Sequence, residues 1–170
     1  MLLEIINLDK LRRGILYCVI MLCILMVQEM VLSRITVFGV RALIVPIFPV
    51  CVGILQGGWW GMAFGLVSGI LCDCMFYETK VLFTILMPFL GFMATAAERF
   101  LISRRFVAVF SAAVCALLFT ALLEVMRMLV LYEAGFAPLM KTALLQTVYS
   151  IPFIFAIYFP CRALSRRSLD

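Results

Sequence analysis

Apolar residues run through this chain in six long stretches, at about 14–32, 40–56, 58–76, 81–97, 107–131 and 139–163, and most of the charges fall outside them, in the short polar breaks and toward the two ends. A helix needs roughly 20 apolar residues to cross the hydrocarbon core of a bilayer. The pattern therefore predicts an all-α integral membrane protein, a compact bundle of about six transmembrane helices. The second, third and fourth stretches are short for that length and are expected to begin or end in the interface. No charged residue occurs from Ala42 to Cys72, which is too long for one crossing. Gln56-Gly57-Gly58 interrupts it, and Trp59-Trp60 marks an anchor at headgroup level. Stretches two and three are thus expected to form a tight helical hairpin. Pro46 and Pro49 fall inside the second stretch, where neighbours must satisfy the carbonyls that they free.

Composition agrees with this class. Of 170 residues, 66% are hydrophobic and 14% charged, with a mean hydropathy of +1.21. A soluble domain is closer to half apolar and about one quarter charged. Because the excess comes in runs, the reading is one polytopic membrane domain over residues 1–170. The net charge is +5, but its basic residues sit at the ends of apolar runs. That placement suits anionic headgroups and argues against nucleic acid as a partner. An N-terminus inside puts nine basic residues on the cytoplasmic side: Lys10, Arg12, Arg13, Arg99, Arg104, Arg105, Arg162, Arg166 and Arg167. It leaves Arg34, Arg41, Lys80 and Lys141 outside, with Arg127 near the outer end of the fifth stretch. Both termini are therefore expected to be cytoplasmic. The first stretch has no cleavage-site pattern and reads as a retained span, and no lipidation or retrieval signal is read at the C-terminus.

Gly61, Gly65, Gly69 and Asp73 recur at intervals of four residues, a spacing that drifts slowly round one helical face. Glycines so placed let a second helix backbone approach closely, within this chain or in a partner. Asp73 closes the stripe, either in the outer interface or as an anchor, since an acid buried in a membrane demands a partner. Glu124 and Arg127, three residues apart, can form an intramembrane ion pair on one helical face. Gln28 and Glu29 are expected to make structural ties near the outer end of the first span, toward Arg34 or Arg41.

Catalysis finds little support. With no histidine in the chain there is no imidazole base, the serines lack a base constellation, and no glycine loop follows a strand. The seven cysteines, at 18, 23, 51, 72, 74, 115 and 161, lie mostly inside apolar runs, and none form C-x-x-C. Cys72 and Cys74 flank Asp73, but without a further ligand nearby they read as packing residues. No metal and no cofactor are expected.

The stretch from Val37 to Ala97 resembles the rod shape-determining protein MreD family. The features that carry the likeness are Phe38-Gly39-Val40-Arg41 entering the second apolar run, then Gly61, Gly65 and Gly69 leading to Leu71-Cys72-Asp73. Two details depart from the family pattern: Ala42 rather than proline follows Arg41, and Cys74-Met75-Phe76-Tyr77-Glu78-Thr79 replaces a glycine- and serine-rich loop. The resemblance implies a non-enzymatic component of the bacterial cell-wall elongation complex in the inner membrane. It implies a bitopic MreC-like protein as main partner, with the MreB-type filament and wall-synthesis enzymes in the same assembly. It also implies a fold similar to the six-helix substrate-binding subunits of energy-coupling-factor vitamin transporters, which makes such a subunit the rival function. Such a subunit is expected to carry a small-x-x-x-small alanine motif on its first span; against that rival, the span here reads Ile15-Leu16-Tyr17-Cys18-Val19-Ile20-Met21-Leu22, without that motif. In the scaffold reading, Arg41 and Asp73 form a polar rim for a partner.

Overall fold

The computed structural model describes residues 2–32, 34, 42–75, 81–100, 105–132 and 136–166, and among them the chain is helical with no strand. Six α-helices follow one another: α1 (Leu2–Val27), α2 (Ile47–Gln56), α3 (Gly58–Met75), α4 (Leu82–Phe100), α5 (Arg105–Tyr132) and α6 (Phe136–Arg166). α1 runs on into a short π-helical turn, Gln28–Leu32. Four helices contain segments long and apolar enough to cross a membrane: Leu11–Met30, Gly58–Met75, Phe106–Val130 and Leu139–Ser165. The other two are shorter, Ile47–Gln56 and the apolar part of α4, Leu82–Ala96.

The largest departure from the expected spans lies in the second one, read from sequence as 40–56. Its helix has only 10 residues, about 15 Å at 1.5 Å per residue, and residues 42–46 before it are not helical. The two prolines account for this. Continued backwards, the helix would set each proline ring against the carbonyl four residues earlier. At a helix start both residues are harmless. Pro46 occupies the N-cap position and Pro49 the first turn, and neither has an N–H to leave without a partner. The two remaining donors of that turn are satisfied, Ile47 N by Ile44 O at 3.2 Å and Phe48 N by Val45 O at 3.3 Å. All four donors that a helix start normally orphans are therefore accounted for without a capping side chain. That lets the start of α2 lie among apolar residues.

α2 is the centre of the bundle. Every residue from Ile47 to Ile54 is buried, and the helix packs on α3, α4, α5 and α6. A helix apolar on all sides belongs in a core rather than at a surface. α1 is the opposite case. It buries Tyr17, Met21, Ile24 and Leu25 along one side, while Leu11, Ile15, Val19, Leu22 and Met26 remain exposed, as suits a helix with lipid on its other face.

α2 and α3 make the hairpin expected from Gln56-Gly57-Gly58. Gly57 alone connects them at φ 106°, ψ 161°, a conformation that glycine adopts without steric cost. Its N–H returns to Gly53 O at 3.0 Å, and its own carbonyl accepts from Trp60 N and Gly61 N. Trp59 beside the turn is 80% exposed. Trp60 is turned inward, stacked on Phe64 with ring centroids 5.9 Å apart, and Phe64 also meets Tyr17 and Phe48.

Candidate functional site

Gly61, Gly65 and Gly69 face α4 within the same chain. A Cβ built on Gly65 would fall 2.6 Å from Met87 O and 2.8 Å from Pro88 Cα, and one on Gly69 would overlap the carbonyl of Phe83. A Cβ on Gly61 would lie 2.5 Å from Gly53 Cα and 2.9 Å from Gly91 O. Gly53 and Gly91, which the four-residue spacing does not single out, complete this crossing. A Cβ on Gly53 would overlap Gly91 O, and one on Gly91 would overlap Gly61 O. Three helices thus approach backbone to backbone at Gly53, Gly61 and Gly91, a distance at which only glycine fits. Thr95 locks the crossing by donating to Gly53 O at 2.9 Å.

Asp73 ends the glycine face and caps the next helix. Its Oδ1 accepts from Phe83 N at 3.2 Å, and its Oδ2 accepts from Thr84 N and Thr84 Oγ1, both at 2.7 Å. α4 begins after Val81, which has no side-chain acceptor of its own, so Asp73 supplies from α3 the oxygen that an N-cap residue would normally provide. A carboxylate is well placed there because the first-turn N–H groups carry the positive end of the helix dipole. Arg41, read as the other half of a polar rim, lies outside the described residues, as do Lys80 and Arg104.

Gln28 performs a related task on non-helical backbone. Its side chain is buried, donates from Nε2 to Ala42 O at 2.9 Å and accepts at Oε1 from Ile44 N at 2.9 Å. Between these bonds, Leu43 N donates to Ser150 Oγ at 3.0 Å, and that hydroxyl donates to Gln146 O at 2.8 Å. One primary amide thus satisfies two backbone groups of the non-helical segment. Irregular backbone survives at membrane depth only where protein groups satisfy it. Gln28 opens the π-helical turn at the end of α1. Gln28 thus ties to backbone ahead of α2; Arg34 is exposed, and Arg41, the other expected contact, lies outside the described residues.

At the same end of the bundle, Glu124 on α5 accepts from Gln146 Nε2 on α6 at 3.4 Å. Arg127 follows one turn along the same helix and is half-buried. Three of the seven cysteines pack in the core. Cys51, Cys72 and Cys161 are buried, Cys18 is half-buried, and Cys23, Cys74 and Cys115 are exposed. No metal-ligating cluster occurs among the described residues.

The opposite end, where α1 carries Arg13, holds a feature that sequence reasoning missed. A cavity of about 150 Å³ is lined by Arg13, Tyr17, Gln56 and Trp60. Tyr17 Oη donates to Cys161 O at 3.3 Å and accepts from Gln56 Nε2 at 3.1 Å, tying α1, α2 and α6 together. Ser165 Oγ adds a bond to Leu55 O at 3.4 Å. The available signal was the pair of residues Arg13 and Tyr17, one turn apart on α1, opposite the polar break at Gln56.

Compared with known protein families, curated proteins and solved structures, the chain matches none.

Proposed function

We propose that this chain is a non-enzymatic integral membrane component of the bacterial cell-wall elongation complex, a scaffold for a MreC-like bitopic protein and other elongation proteins. The observation that supports this reading is the use made of the residues that carry the resemblance to the MreD family. The glycines bring α3 onto α4, and Asp73 then fixes the start of α4. A scaffold needs a rigid set of helix ends and no ligand, and this motif supplies the rigidity. In this reading the termini are cytoplasmic in the inner membrane, and the Asp73 end faces outward with Arg41 completing a rim for the partner. The 99–105 segment and the Arg162 to Arg167 tail then meet headgroups and the cytoplasmic members of the complex, including the MreB-type filament.

A substrate-binding subunit of an energy-coupling-factor transporter would need several polar groups converging on one ligand. Asp73 and Glu124 instead engage neighbouring helices through Thr84 and Gln146, which favours the scaffold. Affinity purification of the full chain from membranes of its own host tests the choice. Recovery of a bitopic MreC-like protein is expected. Recovery of an ATPase-linked transport module in its place would overturn the proposal.

A further inference from the structure

The cavity at the Arg13 end has a lining suited to an anion. Arg13 brings a permanent positive charge and five N–H donors in a planar fork. Gln56 uses one Nε2 hydrogen on Tyr17 Oη and retains the second. Trp60 adds an indole N–H, which only donates. None of the four lining residues is a carboxylate. Its depth is set by two markers: Arg13 stands near the start of the membrane-crossing segment Leu11–Met30, and the exposed Trp59 adjoins Trp60. Tryptophans and arginines at span ends mark the headgroup layer. About 150 Å³ is well below the roughly 300–1,000 Å³ of a pocket for a whole small molecule. It suits one phosphate and part of its ester, with the rest of the ligand outside. Beside it, α1 exposes Leu11, Ile15 and Leu16, an apolar flank along which acyl chains can lie.

We propose that this cavity binds the phosphate of an anionic phospholipid from the adjoining leaflet, with Arg13, Gln56 and Trp60 as donors and Tyr17 holding Gln56 in place. The site would tie α1, the helix with most of its surface toward lipid, to the α2–α3 turn. It does not depend on the cellular role proposed above, and its test uses no partner protein.

Native mass spectrometry of the purified full chain with phosphatidylglycerol or phosphatidylcholine reads the site. Phosphatidylglycerol is expected to be retained preferentially, and Arg13→Gln to weaken that retention about tenfold, as loss of a charge-assisted hydrogen bond does. Arg12→Gln makes the same charge change at an exposed position outside the cavity and is expected to leave retention within about twofold, as for a solvent-screened surface charge. Equal losses in the two variants would mean unspecific attraction and would overturn the site. If Arg13→Gln does not fold, Trp60→Phe keeps the ring on Phe64 and removes only the indole N–H; unchanged retention in that variant counts against the cavity. A last arm compares thermal unfolding in sodium phosphate and sodium chloride at equal ionic strength. Stabilisation by inorganic phosphate that depends on Arg13, without any lipid preference, would assign the site to free phosphate and overturn the lipid.

Discussion

Gln28 and Ile44 are joined by a hydrogen bond from the Ile44 backbone N–H to the Gln28 side-chain oxygen at 2.9 Å, inside an apolar bundle. With the return bond from Gln28 Nε2 to Ala42 O, it holds the one non-helical segment described among the core residues. α2 takes its place in the bundle from that segment.

Replacing Gln28 by Leu is expected to leave Ala42 O and Ile44 N buried without partners. Each such group costs about 1–3 kcal/mol, so a loss of roughly 2–6 kcal/mol is expected, read as a lower unfolding temperature in detergent. Gln28→Glu should fall between, since it keeps the acceptor for Ile44 N and loses the donor to Ala42 O. Wild-type stability in Gln28→Leu would show that the amide does not hold the segment.

Glycine substitutions are expected to divide by what a Cβ would meet. Gly61→Ala and Gly91→Ala drive carbon into backbone on a facing helix, and each is expected to cost at least the roughly 1–3 kcal/mol typical of overpacking. Gly65→Leu is expected to wedge α3 from α4 and reduce the folded yield further. Gly14→Ala meets only the Trp60 ring at 3.8 Å, an ordinary contact, and is expected to be neutral or to gain about 0.5–1 kcal/mol of helix stability. Parallel thermal melts of these variants check the division.

Much of this crossing is legible in the sequence, and part is not. The stripe at 61, 65 and 69 declares itself because its interval is a local helical period. Gly53 and Gly91 are single glycines in other apolar runs, so only the fold shows that they meet it. Pro46 and Pro49 are visible as a disturbance, yet apolarity alone does not separate a kinked span from a helix that starts there. The accounting of first-turn donors does separate them. The partners of Asp73 lie 10 and 11 residues on, and those of Gln28 lie 14 and 16 residues on, across turns that break any periodic signal.

Asp73 and Thr84 are expected to act as a unit. Asp73→Ala removes three bonds at the start of α4 and should cost about 0.5–2 kcal/mol, the usual range for a lost helix cap. Thr84→Val removes only the hydroxyl bond. The double variant should then be little worse than Asp73→Ala alone, because residues in one hydrogen-bond network do not add. Strict additivity in a double-mutant cycle would show that the two side chains do not share a bond.

Glu124 and Arg127 are expected to show the asymmetry of a charge pair in an apolar setting. Glu124→Gln removes the charge that a pair with Arg127 needs and is expected to lower the unfolding temperature, whereas Glu124→Gln with Arg127→Met is expected to recover part of that loss. Equal stability of the single and double variants would remove the ion pair from the account.

The central claim, a place in lateral wall synthesis, is tested most directly by depleting the chain in its own host and following side-wall incorporation of labelled peptidoglycan precursor together with cell shape. The account predicts loss of side-wall incorporation and rounding of the cells, both restored by the wild-type chain. Unchanged incorporation and normal shape after full depletion would contradict it.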